Sequence, residues 1–235
     1  MSSETMALVT LGILIGSNVF AFIYSYFVLK TGVFKRFRIQ SKAYEKGILK
    51  KRFPLYLLNL ALLAAMSFSS VYAFGFLFDT GWPGIGWFVF QVIFVFLVDD
   101  FWFYIVHRYM HKNKRVLKQI HSIHHRATTP FPLEYLYVHP LEWMVTILGA
   151  FVAYSIILIF MPLNIYAFWT FGLFRNLHEI HIHSDLKIPI LKDIPLISAV
   201  EDHDLHHAKL DGNYSSTFKI WDRIMGTTFN EKKHS

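Results

Sequence analysis

The chain has 235 residues, of which 54% are apolar and only 17% charged, against roughly 25% charged in an ordinary soluble domain. It carries 24 Phe, 12 Tyr, 6 Trp, a formal charge of +7 and no cysteine. Disulfides, thiolate metal sites and cysteine nucleophiles are thereby excluded, and an all-α integral membrane protein is expected.

The first apolar run, Met6 to Leu29, lacks a basic n-region and exceeds a signal-peptide h-region, so it reads as a retained span. Asn18 and the serines within it are expected to face protein neighbours. Lys30 to Arg52, "KTGVFKRFRIQSKAYEKGILKKR", is basic and broken, as a cytoplasmic loop should be. A second apolar segment runs from Phe53 to Phe78, and "DTGWPG" at 79–84 turns the chain on the opposite side. The third segment, Ile85 to Val106, returns to the starting face. There Arg108, Lys112, Lys114, Arg115, Lys118 and Arg126 agree with a cytoplasmic placement. Leu141 to Met161 forms a fourth segment. After "PLN", Ile165 to Leu177 is too short to span alone, and we read it as continuing helically through "RNLHEIHIH" to close a membrane hairpin. The expected architecture is one membrane-embedded domain over 1–235. It comprises a small bundle of four or five segments under a cytosolic histidine-rich helical cap, built from about 107–140 and 178–229. Because the basic residues sit in short loops between apolar runs and form no continuous recognition face, nucleic-acid binding is not expected.

Twelve of the thirteen histidines lie between 107 and 207. They are His107 and His111 (HRYMH), His121, His124 and His125 (HSIHH), His139, then His178, His181 and His183 (HEIHIH), and finally His203, His206 and His207 (HDLHH). His107 and His111 share a helical face. In each HxxHH the first and fourth residues project together and the last pair diverges, so one short helix can serve two neighbouring ions. A single tetrahedral zinc has no use for eight or more imidazoles, whereas two ions of higher coordination do. His139, in "VHPLEW", suits a structural or pocket role, and His234 a solvated one. Asp100, Tyr104, His107 and His111 recur at four, three and four positions and line one stripe. Asp100 is expected to orient a ligand imidazole or lie near the metals, with helix-to-helix pairing as the alternative. Asp99 points elsewhere, as a cap or helix link. "GNYSSTFKIWDRIMGT", 212–227, is expected to close the cap: Asn213 and Tyr214 fasten a turn, Phe218 and Trp221 pack, and Asp222 and Arg223 pair or satisfy backbone groups.

HxxxH, HxxHH and HxxHH in this order resemble the fatty acid hydroxylase and sterol desaturase superfamily. "HPLE", "LFRNLHEIHIHSD" and "EDHDLHHAKLDGNYSSTFKIWDRIMGT" are most like the branch of sterol C4-methyl oxidases and sterol C5-desaturases. The resemblance covers about Asp99 to Phe229. It implies a dinuclear iron centre, with zinc able to replace iron in a purified sample, that uses dioxygen to hydroxylate or desaturate a membrane lipid, a sterol or a related molecule. It implies as ligands His107, His111, His121, His124, His125, His203, His206 and His207. To these it adds His178 and His183 from the segment before the last cluster, with His181 as a substitute. At His178 the sterol C4-methyl oxidase version carries an acidic residue, so the chain departs from it there. The resemblance places His121 and His124 on one metal and His125 on the other, with the same division in the last cluster. Asp100 and Tyr104 are the candidate catalytic residues. Asp100, Glu142, Glu179, Asp185, Asp202 and Asp204 are candidates to moderate the metal charge through hydrogen bonds.

No dinucleotide fingerprint or haem domain is present, so electrons are expected from an external cytochrome b5/reductase-type or ferredoxin-type donor. Lys232 and Lys233 in the terminal "KKHS" resemble an endoplasmic-reticulum retrieval signal; in a bacterium the corresponding place is the inner membrane. The competing readings are a fatty-acid, sphingolipid or alkylglycerol hydroxylase and, in a different class, a divalent-metal transporter or sensor.

Overall fold

The structure is a computed structural model and describes residues 1–188, 194 and 196–229. Lys232, Lys233 and His234 lie outside the described residues. Among those described, the chain is mostly helical. Four stretches are long and apolar enough to cross a membrane: Ser3–Lys30, Ile48–Leu77, Ile85–Lys112 and Pro140–Phe160. The first is α1. The second is α2 (Ile48–Phe74) with a 3₁₀ turn, the third is α3, and after the short α4 (Lys114–Gln119) the fourth joins α5 (Pro140–Thr146) to α6 (Leu148–Phe160). Their outward faces carry exposed Phe20, Phe53 and Trp87, as helices solvated by lipid should. Ser2 caps α1 by accepting from the Thr5 amide at 3.1 Å. Asn164 caps α7 (Ile165–Ile182) through the amides of Tyr166 and Ala167.

The continuation expected beyond Leu177 is present: α7 runs unbroken through Arg175, His178, Glu179 and His181. These polar residues are why it is not an apolar span. At its start two short strands, β1 (Phe78–Asp79) and β2 (Leu163–Asn164), pair in parallel and close the end of the bundle opposite the histidines. α3 and α6 pack closely at Gly149, where an added Cβ would meet Trp102 Cβ at 2.7 Å and Asp99 Cα at 2.9 Å.

The polar residues of the spans work as fasteners. Asn18 accepts from the Tyr135 hydroxyl at 2.6 Å, Ser17 from Asn176 at 2.6 Å, and Ser25 from the Leu133 amide at 2.9 Å. Asn59 donates to the carbonyls of Leu136 and Val138, each at 2.9 Å. Arg52 pairs with fully buried Glu134, which also accepts from Tyr56. The Asn176 bond ties α7 to α1, and the others lay the 127–139 loop against α1 and α2. A buried carboxylate is tolerated there because it is paired and hydrogen-bonded.

Loop 31–47 does more than set topology. Its Arg38, its Gln40 amide and the Tyr44 hydroxyl converge on the Asp185 carboxylate at 2.7–2.9 Å. Gln40 also reaches Asp204. The loop thus straps the segments that carry His183 and α8 (Val200–Lys209) to the bundle.

Candidate metal centre

Nine of the ten expected metal-binding histidines come together in two groups. His107 and His111 at the end of α3, His121 and His125 from the 3₁₀ turn His121–Arg126, and His206 from α8 form the first. His124 from the same turn, His183 at the end of α7, and His203 and His207 from α8 form the second. In the first group the His121 Nε2 faces those of His111, His125 and His107 at 2.8, 2.9 and 3.1 Å. In the second, His203 Nε2 stands 3.0 Å from that of His183 and 3.1 Å from that of His207. The groups adjoin: the rings of His125 and His207 are 4.7 Å apart, and those of His124 and His125 5.5 Å.

This arrangement fits metal ions. A nitrogen shared by three other ring nitrogens cannot be satisfied by one proton. Bonds of about 2.1 Å set ligand nitrogens about 3.0–3.4 Å apart in octahedral or tetrahedral geometry, close to the separations observed. The His206 Nε2 is buried without a hydrogen-bond partner. On four of the nine rings the opposite edge is tied to an acceptor. His107 Nδ1 donates to the Tyr214 carbonyl, His206 Nδ1 to that of Gly212 and His183 Nδ1 to that of Glu179, each at 2.7 Å. His121 Nδ1 meets Glu142 Oε1 at 2.8 Å. These bonds fix the tautomer that leaves Nε2 free for a cation. Burial first, then neighbouring imidazoles, holds His121, His124, His203 and His207 far below the ordinary histidine range. Burial holds His206 down to about 4. All five present neutral rings, the form that binds metal.

The division between ions differs from the expected one. His121 groups with His125, not with His124, and His203 with His207, not with His206. On α8 the reason is helical phase: residues four apart differ by about 40° and residues three apart by about 60°. In the 3₁₀ turn phase would align His121 and His124, and their rings do lie side by side, 5.7 Å apart and tilted by 31°. Neighbours separate them. Glu142 holds His121 toward α3, while His124 leans toward His183. Each HxxHH thus sends two imidazoles to one group and one to the other.

His178 stands outside both groups, its Nε2 on the Ser216 carbonyl at 3.0 Å, and His181 is outside them as well. His139 caps α5, accepting from the Leu141 amide. Asp100 and Tyr104 are also elsewhere. Asp100 accepts from the amides of Thr217 and Phe218 at 2.7 and 2.8 Å. The Tyr104 hydroxyl meets Thr227 Oγ1 at 3.0 Å and accepts from Arg108. The stripe they share with His107 is real, but it is broad enough for the 214–227 segment to lie along its lower half. The two residues hold that segment and do not line the cavity described below. Of the six candidate charge-moderating carboxylates, Glu142 bonds a group histidine directly, and a Glu179 oxygen lies 3.9 Å from His183 Nδ1. Asp222 satisfies the amides of Tyr214 and Ser215, each at 2.8 Å, and so shapes the turn that delivers the Tyr214 carbonyl to His107. Asp99 links α3 to α7 through Arg175 at 2.6 Å.

Beneath the histidines lies a cavity of about 440 Å³. It reaches from His107, His121, His124, His183 and His203 down to Phe78 and Leu163 and is otherwise lined mainly by apolar side chains. Arg175 and Glu179, which the sequence did not mark as cavity residues, also line it. Their signal was the i, i+4, i+8 spacing of Arg175, Glu179 and His183 on one face of α7.

Residues 92–227 match the fatty acid hydroxylase family. The chain is 38% identical over 133 residues to methylsterol monooxygenase 1 of Rattus norvegicus, a match covering 56% of this chain and 44% of that protein. It is 31% identical over 215 residues to methylsterol monooxygenase 2-2 of Arabidopsis thaliana, covering 86% and 77%. Against very-long-chain aldehyde decarbonylase GL1-8 of Oryza sativa subsp. indica, identity is 32% over 213 residues, covering 87% and 78%. The match thus spans less than half of the rat relative, and no solved structure matches the chain. With the matched region taking in α3, both HxxHH clusters and the closing segment, the chain belongs to the fatty acid hydroxylase family.

Proposed function

We propose that this protein is a membrane-bound dinuclear iron enzyme that uses dioxygen to hydroxylate or desaturate a sterol or related membrane lipid. The observation that carries this reading is the junction of two adjoining all-histidine groups with the head of a lipid-sized apolar cavity. The names of the rat and Arabidopsis relatives support a sterol.

Histidines 107, 111, 121, 125 and 206 would hold one ion, and 124, 183, 203 and 207 the other. Iron there would supply redox activation of dioxygen toward an unactivated C–H bond, which no side chain of this chain can provide. Hydroxylation places one oxygen atom in the C–H bond and releases the other as water, taking up two electrons and two protons. Desaturation removes two hydrogens and reduces both oxygen atoms to water with the same external electrons. An external cytochrome b5/reductase-type or ferredoxin-type donor supplies them. The protein's own contribution is orientation. Backbone carbonyls and Glu142 hold the imidazoles, and the apolar walls hold the lipid and exclude water. A sterol passing from the bilayer into these walls stays in apolar surroundings, so packing and polar contacts, and not transfer of its methylenes out of water, decide its placement. The basic residues around the first cluster support a cytosolic orientation of the centre, in the endoplasmic reticulum of a eukaryote or the inner membrane of a bacterium.

A metal-transport reading needs ligands along a crossing path, whereas both groups lie at one end of the cavity and its other end is apolar. The test is lipid-dependent oxygen uptake by the iron-loaded protein with a reductase, using labelled methylsterol, fatty acid and long-chain aldehyde. Sterol-dependent uptake with a hydroxylated or desaturated product is expected. Metal flux in proteoliposomes without lipid turnover would overturn the reading.

A further inference from the structure

We propose that Arg175 and Glu179 form a hydroxyl-recognition site in the cavity wall, which orients a lipid alcohol with its hydroxyl end toward the histidines. The inference deepens the lipid-oxidising reading and rests on it.

Arg175 is bound through Nε to Asp99, and its Nη1 and Nη2 meet no acceptor among the described residues. Its side chain is 22% accessible, and it lines the cavity. Glu179, one turn further along α7, gives Oε1 to the Ser216 hydroxyl. Its Oε2 makes no hydrogen bond among the described residues, and the side chain is 12% accessible on the same cavity. Unused donors therefore stand one helical turn from an unused acceptor, in a pocket that is otherwise mainly apolar. A polar group left without a partner in such a place is costly, so the pair selects a ligand able to satisfy both.

A hydroxyl does so, accepting from Arg175 and donating to Glu179. A free fatty acid does not: two carboxylates, Asp99 and Glu179, already face the single guanidinium, and a third would be repelled. The height of the pair sets the orientation. Glu179 lies four and Arg175 eight residues before His183, about 6 Å and 12 Å along the axis. A lipid alcohol anchored there presents carbons near its hydroxyl to the metal groups, and its apolar skeleton extends toward Phe78 and Leu163.

The test measures binding, without turnover, to the full-length protein loaded with zinc, which has no redox chemistry. The probes are a tritiated 4-methylsterol with a free 3-hydroxyl, its 3-methyl ether, its 3-deoxy analogue and palmitic acid. The alcohol is expected to bind at least about tenfold more tightly than the deoxy analogue, as loss of a buried hydrogen-bonding partner predicts. The ether is expected to fall between them. Glu179→Met, which keeps volume but removes the carboxylate, should close the gap between alcohol and ether. Arg175→Lys, which keeps a cation beside Asp99, should narrow the gap between ether and deoxy analogue. Equal binding of alcohol and deoxy analogue by the unaltered protein overturns the site while leaving a lipid-binding cavity in place, and needs no variant to fold. A Glu179→Met protein that keeps the full preference for alcohol over ether also overturns it, as does tighter binding of palmitic acid. Failure of every probe to bind overturns both the site and the lipid reading.

Discussion

The histidines divide their work by neighbour more than by type. His206 Nε2 is buried with no hydrogen-bond partner among the described residues, while His178 Nε2, three residues past Arg175 on the same helix, is already bonded to the Ser216 carbonyl. His206→Ala should therefore weaken metal binding at the five-histidine group, and His124→Ala at the four-histidine group, each by about a hundredfold or more, the upper end of what removal of a mere supporting partner costs. His178→Ala should keep two metals per chain. Metal analysis of the three purified variants checks this; loss of a metal in His178→Ala with retention in His206→Ala would reverse the assignment. Asp100 makes a different prediction. Its two charge-assisted bonds to the Thr217 and Phe218 amides hold the closing segment on α3. Asp100→Asn retains only one acceptor, so it should lower stability by about 1–3 kcal/mol with metal content unchanged. Thermal unfolding alongside metal analysis separates this holding role from a place at the centre.

At the scale of elements, the bundle depends on close approach between α3 and α6. Gly149 is where that approach has no room for a side chain, since an added Cβ would overlap both the Asp99 backbone and Trp102. Asp99 is also the partner of Arg175, so pushing α6 away disturbs the link from α3 to α7. Gly149→Val is expected to cost about 1–3 kcal/mol by overpacking, read as a lower denaturation midpoint in micelles. An unchanged midpoint would mean that the helices separate freely there. The α7 hairpin illustrates a limit of pattern reading. Its apolar part is short, and its polar continuation is helical because Arg175, Glu179 and His183 each find partners inside the protein.

For the whole molecule, ten residues of α8 and six of a 3₁₀ turn supply six of the nine grouped imidazoles. The buried rings are neutral in the fold, with His206 held to about 4, while an unfolded histidine titrates near 6.5. Between those values the unfolded chain binds more protons, so stability falls as pH drops from about 6.5 toward 4 and is level above 6.5. Metal binding shifts in the same direction, because protons compete for the same nitrogens. Metal retention and thermal midpoint measured at pH 7.5, 5.5 and 4.5 should decline together. An unchanged thermal midpoint at pH 4.5 would contradict the linkage of histidine protonation to unfolding.

What could be read from residues alone was whatever depends on local order. The apolar runs define the spans, since about twenty residues cross a bilayer whatever their partners, and the spacings HxxxH and HxxHH bring imidazoles into clusters by helical phase. The allocation of His124 and His206 to opposite groups was not legible, nor was the placing of Asp100 and Tyr104 against the closing segment. Glu142 beside His121 and the amides of Thr217 and Phe218 beside Asp100, all distant in sequence, decided these, with the nearby Gly212 carbonyl holding His206. A side chain's direction within its permitted arc is chosen by the partner that satisfies its buried polar atoms, and that partner is supplied by tertiary structure.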